Sequence, residues 1–246
     1  MLDFGFYNMD CMEGMKEFPD KYFDLAIVDP PYGDGGGYLA ERNEIRGEIP
    51  QVHQSTSSTM PESGQPIHGG RWGGWSVKNG RNMGNEIRKK IVAWDVAPGE
   101  DYFKELFRIS RNQIIWGGNY FQLPPSRGFL IWRKTNVPQD FSMAMAEYAW
   151  MSFQSNAKVF DFSAVGQEGR FHPTQKPVAL YKWILKLYAN KGDKILDTHV
   201  GSASSLIACY DMGFDYVGFE IDEEYYKLAC QRLEEEKAQM RWLLLP

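Results

Sequence analysis

The apolar run Phe23-Asp24-Leu25-Ala26-Ile27-Val28 stops abruptly at Asp29-Pro30-Pro31-Tyr32-Gly33. A short run of this kind reads as a buried strand. Two consecutive prolines donate nothing to a sheet ladder, so the strand must end there. In open α/β sheets ligands bind beyond the carboxyl ends of strands, which places this tetrapeptide where chemistry is done. Asp29 offers carboxylate oxygens, and Pro30 offers a carbonyl oxygen with no N–H beside it. Two acceptors with the donors removed make a receptor for an NH2 group, and Tyr32 adds a flat face for a planar ring. The exocyclic amine of adenine or cytosine is a poor nucleophile because its lone pair is delocalised into the ring. Accepting both of its hydrogens tilts the nitrogen toward tetrahedral geometry and frees that lone pair to attack an electrophilic methyl in line. Positioning of this kind contributes about 7–11 kcal/mol. A base inside a duplex would have to swing out, and stacking on Tyr32 at about 1–3 kcal/mol would offset part of that cost. Taken alone, the tetrapeptide also reads as a plain Pro-Pro turn with Asp29 as a local cap.

A second constellation lies near the C-terminus. Lys194 to Leu196 reads as a strand, Asp197 ends it, Gly201 and Ser202 follow, and Ser204 to Met212 reads as a helix. The next strand, Asp215 to Phe219, leads into Glu220, 23 positions after Asp197. A glycine turn lets a ligand approach the backbone, the helix N-terminus faces anionic groups, and the acid after the next strand suits two ribose hydroxyls. This is a nucleoside-type cofactor site. GxxxxGK[ST] is absent, and Gly201 to Ser205 lacks the glycines of a dinucleotide fingerprint. A plain βαβ turn is the bland alternative.

The rest of the chain is organised around these two places. Tyr102 to Ile109 reads as a helix, and Gln113 to Trp116, Phe129 to Arg133 and Glu147 to Phe153 read as strands. Pro177 opens a helix with Tyr181, Ile184, Leu185 and Tyr188 at helical spacing and Gly192 beyond its end. Asp222 caps a last helix reaching about Lys237. Alternating strands and helices predict a mostly parallel sheet with helices on both faces. Residues 34–92 differ in character: they are rich in Gly, Ser, Asn and Gln, with eight basic residues against six acidic. That local excess of positive charge sits in a chain of net charge -5, so a polyanion partner must be met by a local surface. A segment this long without apolar runs is either functional or disordered.

The length of 246 residues suits one domain with a full core. Cys11, Cys209 and Cys230 have no metal-ligand spacing, so no metal is expected. The first fifteen residues lack a positive n-region and an apolar h-region, and no apolar run is long enough to span a membrane. A cytoplasmic location is therefore expected, with no membrane partner. The eight tryptophans read mainly as core aromatics.

Together these residues resemble the DNA amino-methyltransferases, in the permuted order of the β group, where the catalytic motif precedes the cofactor motif. The resemblance runs from Phe6 to about Leu233 and leaves out most of residues 34–92. Asp29, Pro30, Pro31 and Tyr32 match the catalytic tetrapeptide. Asp10, in Asn8-Met9-Asp10-Cys11, matches an acid near the cofactor's adenine. Trp116 to Phe121 (WGGNYF) is similar to a pattern of phage and prophage methylases. His172-Pro173-Thr174-Gln175-Lys176-Pro177 matches the segment that holds the methionine end of the cofactor, which brings in His172, Thr174 and Lys176. Asp197, Gly201, Ser202 and Ser204 match the cofactor loop, and Glu220 the ribose-binding acid.

The resemblance implies a Rossmann-like, mostly parallel seven-stranded sheet, S-adenosylmethionine as cofactor, DNA as substrate and frequent homodimers. Asp as first member of the tetrapeptide favours adenine N6, with cytosine N4 as the alternative. Outside the resemblance, the composition and charge of residues 34–92 mark them as a flexible target-recognition segment within a single domain of residues 1–246, with Arg71, Arg81, Arg88, Lys89 and Lys90 as candidate phosphate or base contacts.

The chain also departs from the pattern. Thr198 stands for a proline, His199 for an aromatic and Ala203 for the second glycine of the loop. Ala203 puts a methyl group where the backbone is expected close to the ligand. Two rival readings follow, an RNA or protein amino-methyltransferase using the same pocket, or a catalytically weak DNA-binding subunit.

Overall fold

The computed structural model describes residues 1–33, 95–137, 144–163, 171–172 and 174–243, with side chains in the last helix as far as 239. In chain order the elements are β1 (Gly5–Asn8), α1 (Cys11–Lys16), β2 (Phe23–Val28), α2 (Glu100–Ile109), β3 (Ser110–Trp116), a 3-10 turn (Gly118–Tyr120), β4 (Phe129–Lys134) and β5 (Ala146–Met151). They continue with β6 (Lys158–Phe162), α3 (Val178–Tyr188), β7 (Lys194–Asp197), α4 (Ser204–Met212), β8 (Asp215–Glu220) and α5 (Glu223–Leu243).

The sheet runs β1-β8-β7-β2-β3-β5-β4-β6. The first five of these strands are parallel to one another, β5 is antiparallel to both β3 and β4, and β6 is again parallel to β4. The described residues thus form eight strands in a mixed sheet, where seven were expected. Three short elements are not legible in the sequence. β1 has four residues, β6 is mostly exposed, and α1 is a six-residue helix with a glycine inside it. None is long enough to display a period of its own, and each is held by what it packs against.

Two layers of helices follow from the alternation along β2. Leu25 and Ile27 join Ile114, Trp116, Leu130 and Ile195 under Leu180, Ile184 and Leu185 of α3. Ala26 and Val28 point to the opposite face, where Met15 of α1 and Tyr102, Leu106 and Ile109 of α2 cover them. A third cluster joins Val200, Ala203, Leu206 and Ile207 to Ala229 and Leu233 of α5. Trp116 and Trp132 lie in the buried core, as core aromatics should.

The chain divides into two compact units, Met1–Tyr32 with Ala97–Pro246, and Gly33–Val96. All the elements above belong to the first. In the second only Gly33, Asp95 and Val96 are described, and the Gly33 amide donates to the Asp95 carboxylate at 3.0 Å. Among the described residues no helix is long and apolar enough to cross a membrane, and no group of three or more His, Cys, Asp or Glu side chains is gathered to hold a metal ion.

α1 lies flush on the sheet because Gly14 has no side chain. A Cβ there would stand 2.4 Å from the Phe219 ring. Gly14→Ala is expected to destabilise the fold by about 1–3 kcal/mol, as overpacking does. Phe219→Leu should make the same substitution less costly, and a denaturant double-mutant cycle measures both.

Candidate active site

The parallel half of the sheet ends on one edge in Asn8, Glu220, Asp197, Val28 and Trp116. The residues picked out in the sequence gather along it. Asp29 follows β2 and Glu220 ends β8, two strands away across β7, a separation of roughly 10 Å at the usual strand spacing.

At the β8 end, Asn8 donates to the Glu220 carbonyl at 2.8 Å and ties β1 to β8. Glu220 accepts the Gly201 amide on Oε2 and the Asp222 amide on Oε1, each at 2.9 Å. Burial pushes its carboxyl above the ordinary range, against those two bonds. Each carboxylate oxygen keeps a further acceptor site, which is what a pair of ribose hydroxyls requires. Beside it Ile221 is 66% exposed, an apolar surface at the strand end that sequence reasoning passed over. Asp10 caps α1 by accepting the Met12 amide at 2.8 Å. Cys11, Met12, Tyr102 and His199 help to line a cavity of about 370 Å³ next to it. A larger cavity of about 560 Å³ opens beside Asp215 and Gly5, at the opposite end of β8 and β1.

The loop after β7 is built around Asp197, which accepts the His199 amide at 3.0 Å and the Ser205 hydroxyl, and whose carboxyl burial pushes up to about 7. Ser202 and Ser204 share a hydroxyl–hydroxyl bond of 3.1 Å, and Arg232 of α5 donates to the Ser202 carbonyl and the Ser204 hydroxyl. The Ser202 carbonyl and the Ser204 hydroxyl therefore brace the loop against α5. Gly201 and Ala203 both have left-handed backbone, φ 54° and 62°. For Ala203 that conformation costs about 1–2 kcal/mol, which explains a glycine at this place in the resembling family. Its fully buried methyl belongs to the α4–α5 cluster.

Thr198 and His199 replace the expected proline and aromatic with a small network. The Thr198 hydroxyl bonds the Tyr102 hydroxyl at 2.6 Å and His199 Nδ1 at 2.9 Å, and the His199 ring packs edge-on to Tyr102 at 5.4 Å. Burial lowers the His199 imidazole to about 4.

The segment before α3 spans both constellations. The His172 ring lies against Gly201, 3.2 Å from where a Cβ would stand, bonds Thr174 at 3.2 Å and meets Tyr225 at 4.4 Å. Four residues later the Lys176 ammonium is ion-paired to Asp29. Lys176 is 2% exposed and also meets Glu147 of β5 at 3.1 Å, while Lys134 of β4 meets the other oxygen of Glu147 at 2.6 Å. Burial raises the Asp29 carboxyl, with Lys176 opposing it. Burial would lower Lys176, but Asp29 and Glu147 hold it above the ordinary lysine range. Glu147 is held low because Lys176 and Lys134 outweigh its own burial. Glu147 and Lys134 were not legible in the sequence as site residues.

Tyr32 donates its hydroxyl to Asp29 Oδ1 at 2.7 Å. One face of its ring rests on Gly117, where a Cβ would stand 2.2 Å from the ring. Tyr120, half exposed, stacks in parallel on Tyr32 at 4.7 Å and 9°. A Cβ on Gly118 would stand 2.5 Å from Trp150 Cβ, so both glycines of WGGNYF are demanded by close packing.

Two buried donors among the described residues, Gln175 Nε2 and Trp116 Nε1, have no partner. Gln175 sits between the His172 contact and Lys176, where an amino-acid carboxylate would satisfy it. With Glu220 and Ile221, the residues present fit a nucleoside joined to an amino-acid end. Arg71, Arg81, Arg88, Lys89, Lys90 and Pro173 lie outside the described residues.

Residues 75–231 match the DNA methylase family. Type II methyltransferase M2.MboI of Moraxella bovis is 23% identical over 95% of this chain and 88% of its own length. YubD of Escherichia coli (strain K12) is 32% identical over 93% of this chain and 89% of its length. DNA adenine methyltransferase YhdJ of the same strain is 39% identical over 31% of this chain and 27% of its length. Among solved structures, PvuII DNA methyltransferase (cytosine-N4-specific) aligns over 97% of this chain and 91% of its own at 10% identity, with a TM-score of 0.54, a likeness of fold.

The lowered value of His199 gives a pH signature. The folded state holds its imidazole neutral between 6.5 and about 4, while the unfolded chain takes up a proton there. Stability from this group is complete above the unfolded value and is lost as pH falls through that window. The melting temperature of His199→Phe, relative to the parent, should therefore rise as pH drops from about 7 to about 5. A difference independent of pH would refute the assignment.

Proposed function

This chain belongs to the DNA methylase family, and on that premise we propose that it transfers the methyl group of S-adenosylmethionine to N6 of an adenine swung out of DNA. The observation that carries the reading is the short span from His172 to Lys176, which touches Gly201 at one end and Asp29 at the other. The nucleoside-type seat and the strand-tip carboxylate therefore share one edge of the sheet.

Glu220 and Ile221 would hold the ribose and adenine of the cofactor, with Asp10 close to the adenine. Gly201, Gln175, His172 and Thr174 would hold its amino-acid end. When bound, the cofactor supplies an electrophilic methyl on a sulfonium. Asp29 and the Pro30 carbonyl receive the two hydrogens of the target amine. Each Asp29 oxygen already holds one partner, Tyr32 or Lys176, and keeps further acceptor capacity. The amine is thereby turned so that its lone pair faces the methyl, and Asp29 accepts the proton the nitrogen then gives up. Gly117 closes the inner face of Tyr32, so the base stacks on the outer face, where Tyr120 now lies.

Asp at the head of the tetrapeptide favours adenine, as it does in the resembling family, and a carboxylate that accepts hydrogens only suits an amino group over an amide. The network among Thr198, His199 and Tyr102 supports an active enzyme over a degenerate subunit, because the substituted loop is internally bonded. Residues 34–92 are read as the target-recognition segment, and a cytoplasmic homodimer acting on DNA completes the proposal.

Base-modification sequencing of DNA from cells expressing the chain should show N6-methyladenine at one sequence, and Asp29→Ala should abolish it. N4-methylcytosine there would overturn the choice of base. Methyl transfer to RNA or protein, with none to DNA, would overturn the substrate. Charge reversal at Arg88, Lys89 and Lys90 should weaken DNA binding across sequences. It should also flatten the salt dependence of binding, by about one unit of slope for each phosphate no longer neutralised.

A further inference from the structure

We infer that Glu147 is a positioning residue of this site: it shares the Lys176 ammonium with Asp29 and so sets how tightly that ammonium holds the acceptor carboxylate. The inference rests on the reading of Asp29 as the acceptor of the amine's hydrogens. Glu147 stands on β5 opposite Trp132 of β4, in the antiparallel part of the sheet and away from the cofactor loop.

Four charges alternate along this line. Asp29 pairs with Lys176, Lys176 with Glu147, and Glu147 with Lys134. Lys176 and Lys134 are buried, and the Lys176 ammonium lies 5.3 Å from the centre of the Trp116 ring. Taking several charges out of water is a poor route to stability, since desolvation consumes most of the Coulomb gain. The arrangement is better explained by what it does to Asp29.

Alone with Asp29, Lys176 would hold the carboxylate in its ionised form and make it a weak proton acceptor. Methylation needs the opposite at one moment. The amine starts with two N–H bonds, and once its lone pair has formed the N–C bond, with the S–C bond broken and its electron pair left on a neutral thioether sulfur, one of those protons must leave. Asp29 receives it and becomes a neutral acid. Glu147 provides Lys176 with a second anion at 3.1 Å, so the ammonium need not follow Asp29 alone. Lys134 in turn keeps Glu147 ionised at 2.6 Å. Among the described residues, the other groups that face Asp29 are the Tyr32 hydroxyl, which donates to it, and Tyr181 of α3, Tyr102 of α2 and Asp197 of β7, which feel its charge.

Two substitutions should move Asp29 in opposite directions. Glu147→Gln removes the competing anion, and the apparent pKa of Asp29 should fall by about one unit, the Coulomb response to losing a nearby buried charge. Lys134→Met frees Glu147 to draw on Lys176 and removes a cation, and the Asp29 value should rise by a similar amount. The 13Cγ resonance of Asp29, assigned by its loss in Asp29→Asn, reads this directly when the cofactor-free protein is titrated. The acid limb of the single-turnover methylation rate should shift the same way. The rate above that limb should fall about three-fold in Glu147→Gln, the Brønsted response to a weaker base.

Glu147→Asp keeps the anion and should restore most of the parent profile. It and Lys134→Met carry the test if Glu147→Gln does not fold. Shifts of one sign in the Gln and Met variants, or a lower melting temperature with an unmoved Asp29 titration, would overturn the inference. If the parent protein transfers no methyl group to DNA, the reading of the site falls, while the carbon titration still decides whether Glu147 governs Asp29.

Discussion

The ammonium of Lys176, buried against the carboxylate of Asp29, is the contact that holds the site together. It fixes the segment before α3 over the carboxyl edge of the sheet. With Lys176 anchored there, His172 reaches Gly201, whose amide reaches Glu220. A chain of short-range contacts thus runs from the acceptor at the tip of β2 to the acid at the tip of β8. Removing one partner would leave an uncompensated buried charge, which is a far larger penalty than the pair itself is worth.

Close packing does for Tyr32 what charge does for Asp29. Tyr32 sits flat because Gly117 leaves room beneath it, and Gly118 leaves room for Trp150. The hydroxyl of Tyr32 then reaches Asp29, so the ring and the carboxylate are held as one unit. Among the described residues, the other face of Tyr32 is covered by Tyr120, stacked on it in parallel.

In the loop after β7 the residues that depart from the family pattern make contacts of their own. A proline and an aromatic are replaced by Thr198 and His199, and these two bond to each other and to Tyr102. Ala203 accepts left-handed backbone, and its methyl group lies in the core beside α5. What looked in the sequence like erosion of the loop is, in the fold, a substitution of one set of contacts for another.

The end of β2 is written in the sequence, because two prolines cannot extend a ladder, and so is the glycine turn after β7. The longer helices and strands are legible there too, since their apolar periods lie in consecutive residues. β1, α1 and β6 are not, being too short to show a period and held only by their neighbours. Nor does the sequence disclose that Lys176 pairs with Asp29 and Glu147, or any role for Glu147 and Lys134. Those pairings join residues as far as 147 positions apart. They exist because β5 turns antiparallel and brings Glu147 beside the end of β2, and where a strand inserts is decided by packing of the whole sheet.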